Sequence, residues 1–380
     1  MMLDAADVKV PKASSADIQP ILTVRKGILD MKKTLLAAAF ALSLGFSAAV
    51  NALPTVKIIA TGGTIAGAAA SATDTTGYDA AAVGIQTLIN AVPQMKDFAE
   101  VSGEQIAKIS SNNMDTPTLL KLAKRVNELV ADPKVDGVVI THGTDTIEET
   151  AYFLNLTVKS DKPVVLVGAM RPSTAISADG PMNLLEAVQT AASPKMKGQG
   201  VTIVMNDQIS AARETTKGNT TNVATFSAPE MGYLGYVVNN EPVLYRATTR
   251  RHTFQSEFDI SKLDTLPRVD IVYSHIDQDE KVVEAVLKLG AKGIVSAGTG
   301  NGSVSDRAEA VLEKANKSGT PVVLSAHVPA GGVVKSHAQY VNAGFVFAGN
   351  LNPQKARLLL QLALTKTNDP KEIQRIFSEY

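Results

Sequence analysis

The sequence predicts an α/β protein in two parts, each built on a largely parallel sheet. Short β-branched runs alternate with longer amphipathic segments, which is the pattern of strands and helices in such a fold. The runs are apolar throughout rather than alternating, so both sheet faces must be covered. Two series of these runs are separated by a polar stretch, and 380 residues at roughly 150 per domain give about two domains.

In chain order, the strands of the first series are VKIIA (56–60), GVVIT (137–141), PVVLVGA (163–169) and VTIVMN (201–206). Between them, Pro117 to Val130 and Thr146 to Leu156 carry the apolar spacing of helices. Residues 246–267 are polar and charged with little periodicity, and they read as a linker. The second series follows: VDIVYS (269–274), a helix at 281–290, KGIVSAG (292–298), a helix near 306–317 and PVVLSAH (321–327). Asn352 followed by Pro353 reads as an N-cap and first helical residue opening QKARLLLQLALTK.

Met31, Lys32 and Lys33 precede an apolar small-residue run from Leu35 to Val50, and Val50 and Ala52 form a small-x-small cleavage site. Residues 31–52 therefore read as a secretory signal peptide, with the run too short and Ala-rich for a membrane anchor. A polar leader has no place ahead of such a signal, so residues 1–30 are expected to be untranslated, with the true start at Met31. The expected organisation is a catalytic N-terminal domain at 53–245, the linker, and a C-terminal domain at 268–380, in the periplasm and free of the membrane after cleavage.

Composition excludes several classes. There are 37 basic and 37 acidic residues, and removal of residues 1–52 leaves 31 and 33. A chain near neutrality is a poor ligand for nucleic acid. With no cysteine there is no disulfide framework, thiol nucleophile or Cys-ligated metal. His142, His252, His275, His327 and His337 lack metal-ligand spacing, so no catalytic metal and no cofactor is expected.

In open parallel sheets, ligands bind beyond the carboxyl ends of strands. Three loops there are rich in hydroxyls and glycine: Thr61 to Gly67, Thr141 to Thr146, and Met205 to Asp207 leading on to Lys217. Taken singly they read blandly, as a tight turn, a helix cap and a solvated lysine. Together they bring two threonines, an aspartate and a lysine to one sheet edge. A threonine hydroxyl is a weak nucleophile that needs a base, and a buried lysine can serve.

The segments ATGGTIAG (60–67), THGTDTIEETAYFLNL (141–156), MNDQISAARETTKGNT (205–220), AGTGNGSVS (297–305), LNPQKARLLLQLALT (351–365) and EIQRIFSEY (372–380) resemble the bacterial type II L-asparaginases, the branch that includes periplasmic glutaminase-asparaginases. The resemblance spans almost all of residues 53–380. It implies the asparaginase-like fold, with a larger N-terminal and a smaller C-terminal α/β domain. It also implies a homotetramer assembled as a dimer of dimers, with sites shared between neighbouring subunits, and hydrolysis of L-asparagine and, to varying degrees, L-glutamine.

By the same resemblance, Thr64 matches the nucleophile and Tyr78, on a mobile loop over 66–84, its hydrogen-bonding partner. Thr144, Asp145 and Lys217 match a second triad. Ser111, Asn112 and Asp145 match the groups that hold the substrate's α-carboxylate and α-amino groups, and Asn301 a residue lent across the subunit interface. Two positions depart from the family pattern: Asn112 stands where Gln or Glu is usual, and His337 aligns where many members have a partner-subunit glutamate. The alternative is a periplasmic amino-acid-binding protein, which needs the substrate contacts but has no use for paired threonines with a lysine.

Overall fold

A computed structural model of the chain describes residues 52–380; the signal-peptide and leader readings lie outside them. The larger lobe carries eight strands: β1 (Thr55–Gly62), β4 (Glu100–Ile109), β5 (Gly137–Thr141), β6 (Val164–Val167), β7 (Val201–Met205), β8 (Gln208–Ala211), β11 (Gly235–Val238) and β12 (Glu241–Leu244). Two-residue ribbons pair β2 (Ala68–Ala69) with β3 (Tyr78–Asp79) and β9 (Thr216–Lys217) with β10 (Phe226–Ser227). The sheet order is β12-β11-β8-β7-β6-β5-β1-β4, parallel from β4 to β7 and antiparallel beyond.

The apolar runs became the central strands because successive side chains enter two different cores. Ile59, Val138, Ile140, Val164 and Leu166 pack on one face under helices α2 (Thr116–Ala131) and α3 (Ile147–Thr157). Ile58, Val139, Val165 and Val167 pack on the other with α1 (Ile85–Ala91) and α4 (Gly180–Ala192). A period of two with both phases buried is why the runs show no polar alternation. Helix α2 starts where Asp115 accepts a hydrogen bond from the Thr118 amide at 2.9 Å, with Pro117 in its first turn.

The smaller lobe is a four-stranded parallel sheet in chain order, β13 (Val269–Tyr273), β14 (Gly293–Gly298), β15 (Val322–Ala326) and β16 (Val346–Phe347). Helices α5 (Lys281–Lys288), α6 (Asp306–Lys317) and α7 (Ala338–Asn342) cover one face. Helix α8 (Pro353–Ala363) covers the other, capped by Asn352, whose Oδ1 accepts from the Lys355 amide at 3.1 Å. The buried leucines of α8 share one continuous core with α3 and with α9 (Pro370–Glu379), so the lobes are joined by apolar packing.

The polar stretch 246–267 does not run free between them. Phe258 and Ile260 enter the common core, and the Phe258 ring lies 5.1 Å from that of the chain-terminal Tyr380. Glu257 pairs with Lys366 and Arg375, and Tyr380 accepts the Glu257 amide on its hydroxyl at 2.8 Å. Its lack of periodicity reflects anchors set by tertiary contacts rather than by a helix or strand.

Strand β1 lies between β4 and β5, so the chain passes to one side of it and then crosses to the other. That reversal is a topological switch point, where adjacent loops splay apart and leave room for a ligand. The loops after β1, β4 and β5 all open there.

Ile140, fully buried on β5, is expected to lower stability by about 2–5 kcal/mol when cut to alanine, as a cavity opens in the shared core. Ile276, 96% exposed, is expected to change it by less than about 0.5 kcal/mol. Denaturant titration of both variants checks the contrast.

Candidate active site

The site begins with two backbones in contact. Gly62 and Gly63 end β1 with φ of 115° and 83°, a region open to glycine and costly for other residues. A Cβ on Gly63 would lie 2.3 Å from the Cα and amide nitrogen of Gly143, so the loops after β1 and β5 meet with no room for a side chain. A Cβ on Gly143 would in turn meet the Ser111 Oγ at 2.6 Å. Three strand-end loops thus converge on one point.

Thr64 follows at once and opens a single 3-10 turn, closed by the Gly67 amide on the Thr64 carbonyl at 2.7 Å. Beyond it the β2–β3 ribbon doubles back. Asp74 accepts the amides of Thr76 and Gly77 at the tip, Ser173 and Thr174 hold the outgoing arm at Gly67 and Ala69, and the Ala81 amide returns to the Gly63 carbonyl at 3.0 Å. The closure sets the Tyr78 hydroxyl 2.6 Å from the Thr64 Oγ1. Thr64 is buried and Tyr78 half-buried.

The loop after β5 supplies a second hydroxyl. Lys217 Nζ donates to Thr144 Oγ1 at 3.0 Å and to Asp145 Oδ1 at 2.7 Å. Thr144 is buried, whereas 59% of the Asp145 side chain is exposed, leaving a carboxylate at the rim to meet a cation. Ser111 is buried beside Gly143, and its carbonyl accepts from the Thr146 hydroxyl at 2.8 Å. Asn112 is exposed at the same rim.

His142 is a satisfied structural imidazole. Its Nδ1 lies 2.8 Å from the Gly143 carbonyl and its Nε2 3.0 Å from the Thr150 hydroxyl. A carbonyl only accepts, so the proton sits on Nδ1 and Nε2 accepts from Thr150. Full burial pushes the ring down to about 4, partly opposed by the Gly143 carbonyl. The neutral ring ties the threonine loop to α3.

Within one chain, Asn301 and His337 are not hydrogen-bonded to these groups. Asn301 donates to Ser336 Oγ at 2.8 Å and accepts the Val334 amide at 3.0 Å, which holds the segment leading into His337. His337 is exposed and edge-on to Tyr340, with ring centres 5.3 Å apart.

Sequence reasoning missed a buried carboxylate. Glu148, in the first turn of α3 and only 3% exposed, accepts the Lys217 amide at 2.6 Å and the side-chain amides of Asn352 and Gln354, each at 2.8 Å. Its signal was an acid on the same helix face as Ala151 and Tyr152, overlooked because a glutamate near a helix N-terminus reads as a match for the dipole. Lys355 was missed likewise: it is buried on α8, donates to the Arg213 carbonyl at 3.0 Å and to that of Thr215, and is lowered by burial to about 8. Among the described residues, no group of three His, Asp or Glu side chains is placed to hold a metal, and no helix is long and apolar enough to cross a membrane.

Fold and site together define a two-lobed α/β protein with two threonine hydroxyls, each with its own polar partner, at a sheet switch point. The family model described as "Asparaginase, N-terminal" matches residues 55–250, and that described as "Glutaminase/Asparaginase C-terminal domain" matches 268–377. The chain is 55% identical over 333 residues to L-asparaginase 2 of Bacillus subtilis, covering 86% of this chain and 87% of that protein. It is 49% identical over 352 residues to a probable periplasmic L-asparaginase of Haemophilus influenzae, covering 92% and 100%. The solved structure of a probable cytoplasmic L-asparaginase from Campylobacter jejuni matches with a TM-score of 0.84 and 52% identity, over 86% of this chain and all of that one. The chain belongs to the asparaginase family.

His142 binds fewer protons in the folded than in the unfolded chain between its folded value of about 4 and the ordinary 6.5. Its contribution is complete above pH 6.5 and is lost as pH falls through that window, on the order of 3 kcal/mol in all. In His142→Gln, denaturation midpoints followed from pH 7 to pH 4 should fall less steeply than in the wild type, even though the variant starts from a lower stability.

Proposed function

We propose that the chain hydrolyses the side-chain amide of L-asparagine, and also accepts L-glutamine, through a threonine ester. The observation that carries the reading is the pair of hydroxyls: Thr64 partnered by Tyr78, and Thr144 partnered by Lys217, which Asp145 in turn holds. A binding protein gains nothing from two buried hydroxyls with separate polar partners. An enzyme that forms and then breaks an ester has a use for both.

Thr64 Oγ1 attacks the amide carbon and its proton passes by way of Tyr78 to the departing nitrogen, which leaves as ammonia. The ester on Thr64 is then cleaved by water oriented on Thr144, with Lys217 fixing that hydroxyl and Asp145 holding Lys217, and L-aspartate and free Thr64 result. Asp145 meets the substrate's ammonium, and Ser111 with Asn112 its carboxylate and amino ends. Asn112 reaches one methylene less than the usual Gln, so its contact is the looser one. No metal or cofactor takes part.

Asn301 joins the site from a second copy, in a homotetramer built as a dimer of dimers, and His337 comes with it in place of the usual glutamate. The domains run 53–245 and 268–380, joined by 246–267. Residues 31–52 direct export to the periplasm. Lys32, Lys33 and the apolar run after them support export. The relatives' names point both ways, one periplasmic and one cytoplasmic.

The test is ammonia release from purified protein of residues 53–380. The wild type should turn over asparagine, Thr64→Ala should lose about 10³-fold or more in kcat while still binding aspartate, and Lys217→Met about 10²–10⁴-fold. Wild-type protein that binds the amino acid and releases no ammonia would establish the binding protein instead.

A further inference from the structure

We infer that Glu148 is a positioning residue for the Lys217–Thr144 pair, and that through it the C-terminal lobe sets the geometry of the N-terminal site. The inference rests on the reading of Thr144 and Lys217 as working groups.

Lys217 lies on a two-residue strand whose partner is another two-residue strand, too short to hold its own register. Packing does not hold it against the C-terminal lobe either, since a cleft of about 500 Å³ lined by Thr216, Lys217, Tyr273, His327 and Gln354 opens between them. Phe226, opposite Lys217, anchors the paired strand in the core, and hydrogen bonding fixes the Lys217 backbone itself. Glu148 Oε2 accepts the Lys217 amide at 2.6 Å, while Oε1 accepts from Asn352 and Gln354 at the start of α8. Lys355, in the same turn of α8, holds the carbonyls of Arg213 and Thr215 just upstream.

All donors to Glu148 are N–H groups, so the site needs an acceptor on both oxygens, which a buried carboxylate supplies and an amide cannot. Glu148 also stands three residues after Asp145 at the start of α3. One carboxylate therefore ties together the helix that follows Thr144 and Asp145, the strand that carries Lys217, and the cap of α8. It touches neither reacting hydroxyl and acts through Lys217.

Glu148→Gln tests this. An amide can still accept from the Lys217 amide only by turning its own NH2 onto Asn352 and Gln354. Misplacement of Lys217 should lower kcat for asparagine on the order of 10- to 100-fold and leave KM within about threefold, since Glu148 meets no substrate. Asn352→Asp alone should also lose activity, by placing a second carboxylate against Glu148. The double variant Glu148→Gln/Asn352→Asp moves the acceptor across the hydrogen bond and should recover at least about tenfold of the lost kcat. Wild-type kcat in Glu148→Gln would overturn the inference, as would a double variant no faster than Glu148→Gln. If Glu148→Gln does not fold, Asn352→Asp at wild-type kcat overturns it. A wild type that releases no ammonia removes the functional reading and this inference together, whereas a fast wild type with an unaffected Glu148→Gln removes only the inference.

Discussion

The close approach of Gly63 to Gly143 is the constraint on which the rest of the site depends. Two strand-end loops meet backbone to backbone because neither carries a Cβ at the contact, and that brings Thr64 and Thr144 to the same edge of the sheet. Parallel pairing of β1 with β5 sets the register from which both loops depart. The positive φ of Gly63 then turns the chain so that Thr64 faces the returning ribbon with Tyr78. A side chain at either glycine would push the loops apart and separate the two hydroxyls.

Around that contact the polar groups are arranged by depth. Thr64, Thr144 and Ser111 are buried, whereas Asp145 reaches the rim. The asymmetry suits an amino-acid substrate, whose charged end can sit at the rim while its amide is placed among hydroxyls away from bulk water. The deeper carboxylate, Glu148, is spent on scaffold rather than substrate. Buried charge is tolerated there because three N–H donors and the nearby start of α8 satisfy it. The C-terminal lobe is therefore part of the site's support even in a single chain.

Much of this was legible in the sequence, and the limits have physical causes. Strands β1, β5, β6 and β7 stood out because both faces are buried, α2 because Pro117 to Val130 carry the apolar spacing of a helix, and α8 because Asn352 with Pro353 marks its start. Strand β4 did not stand out: Glu100–Ile109 lies at the sheet edge and its polar, partly exposed residues carry no apolar run. Strand β12 at the opposite edge was hidden for the same reason, whereas β8 and β11 are interior but only four residues long, too short to show a run. The threonine loops were visible as strand-end hydroxyls, but which threonine meets which partner came only from the resemblance. The contacts of Glu148 were invisible because two of its partners lie 204 and 206 residues away, and no local pattern reports a contact of that separation.

The central claim is that Thr64, not Thr144, carries the acyl group. In Thr144→Val, loss of the second hydroxyl should slow cleavage of the ester more than its formation, so that the covalent species accumulates. The direct measurement is rapid acid quench of that variant with asparagine, followed by peptide mass mapping. The account predicts an aspartyl adduct on the peptide containing Thr64, absent when Thr64→Ala is added to the same variant. An adduct at another residue, or turnover of the Thr144→Val protein at the wild-type rate, would contradict it.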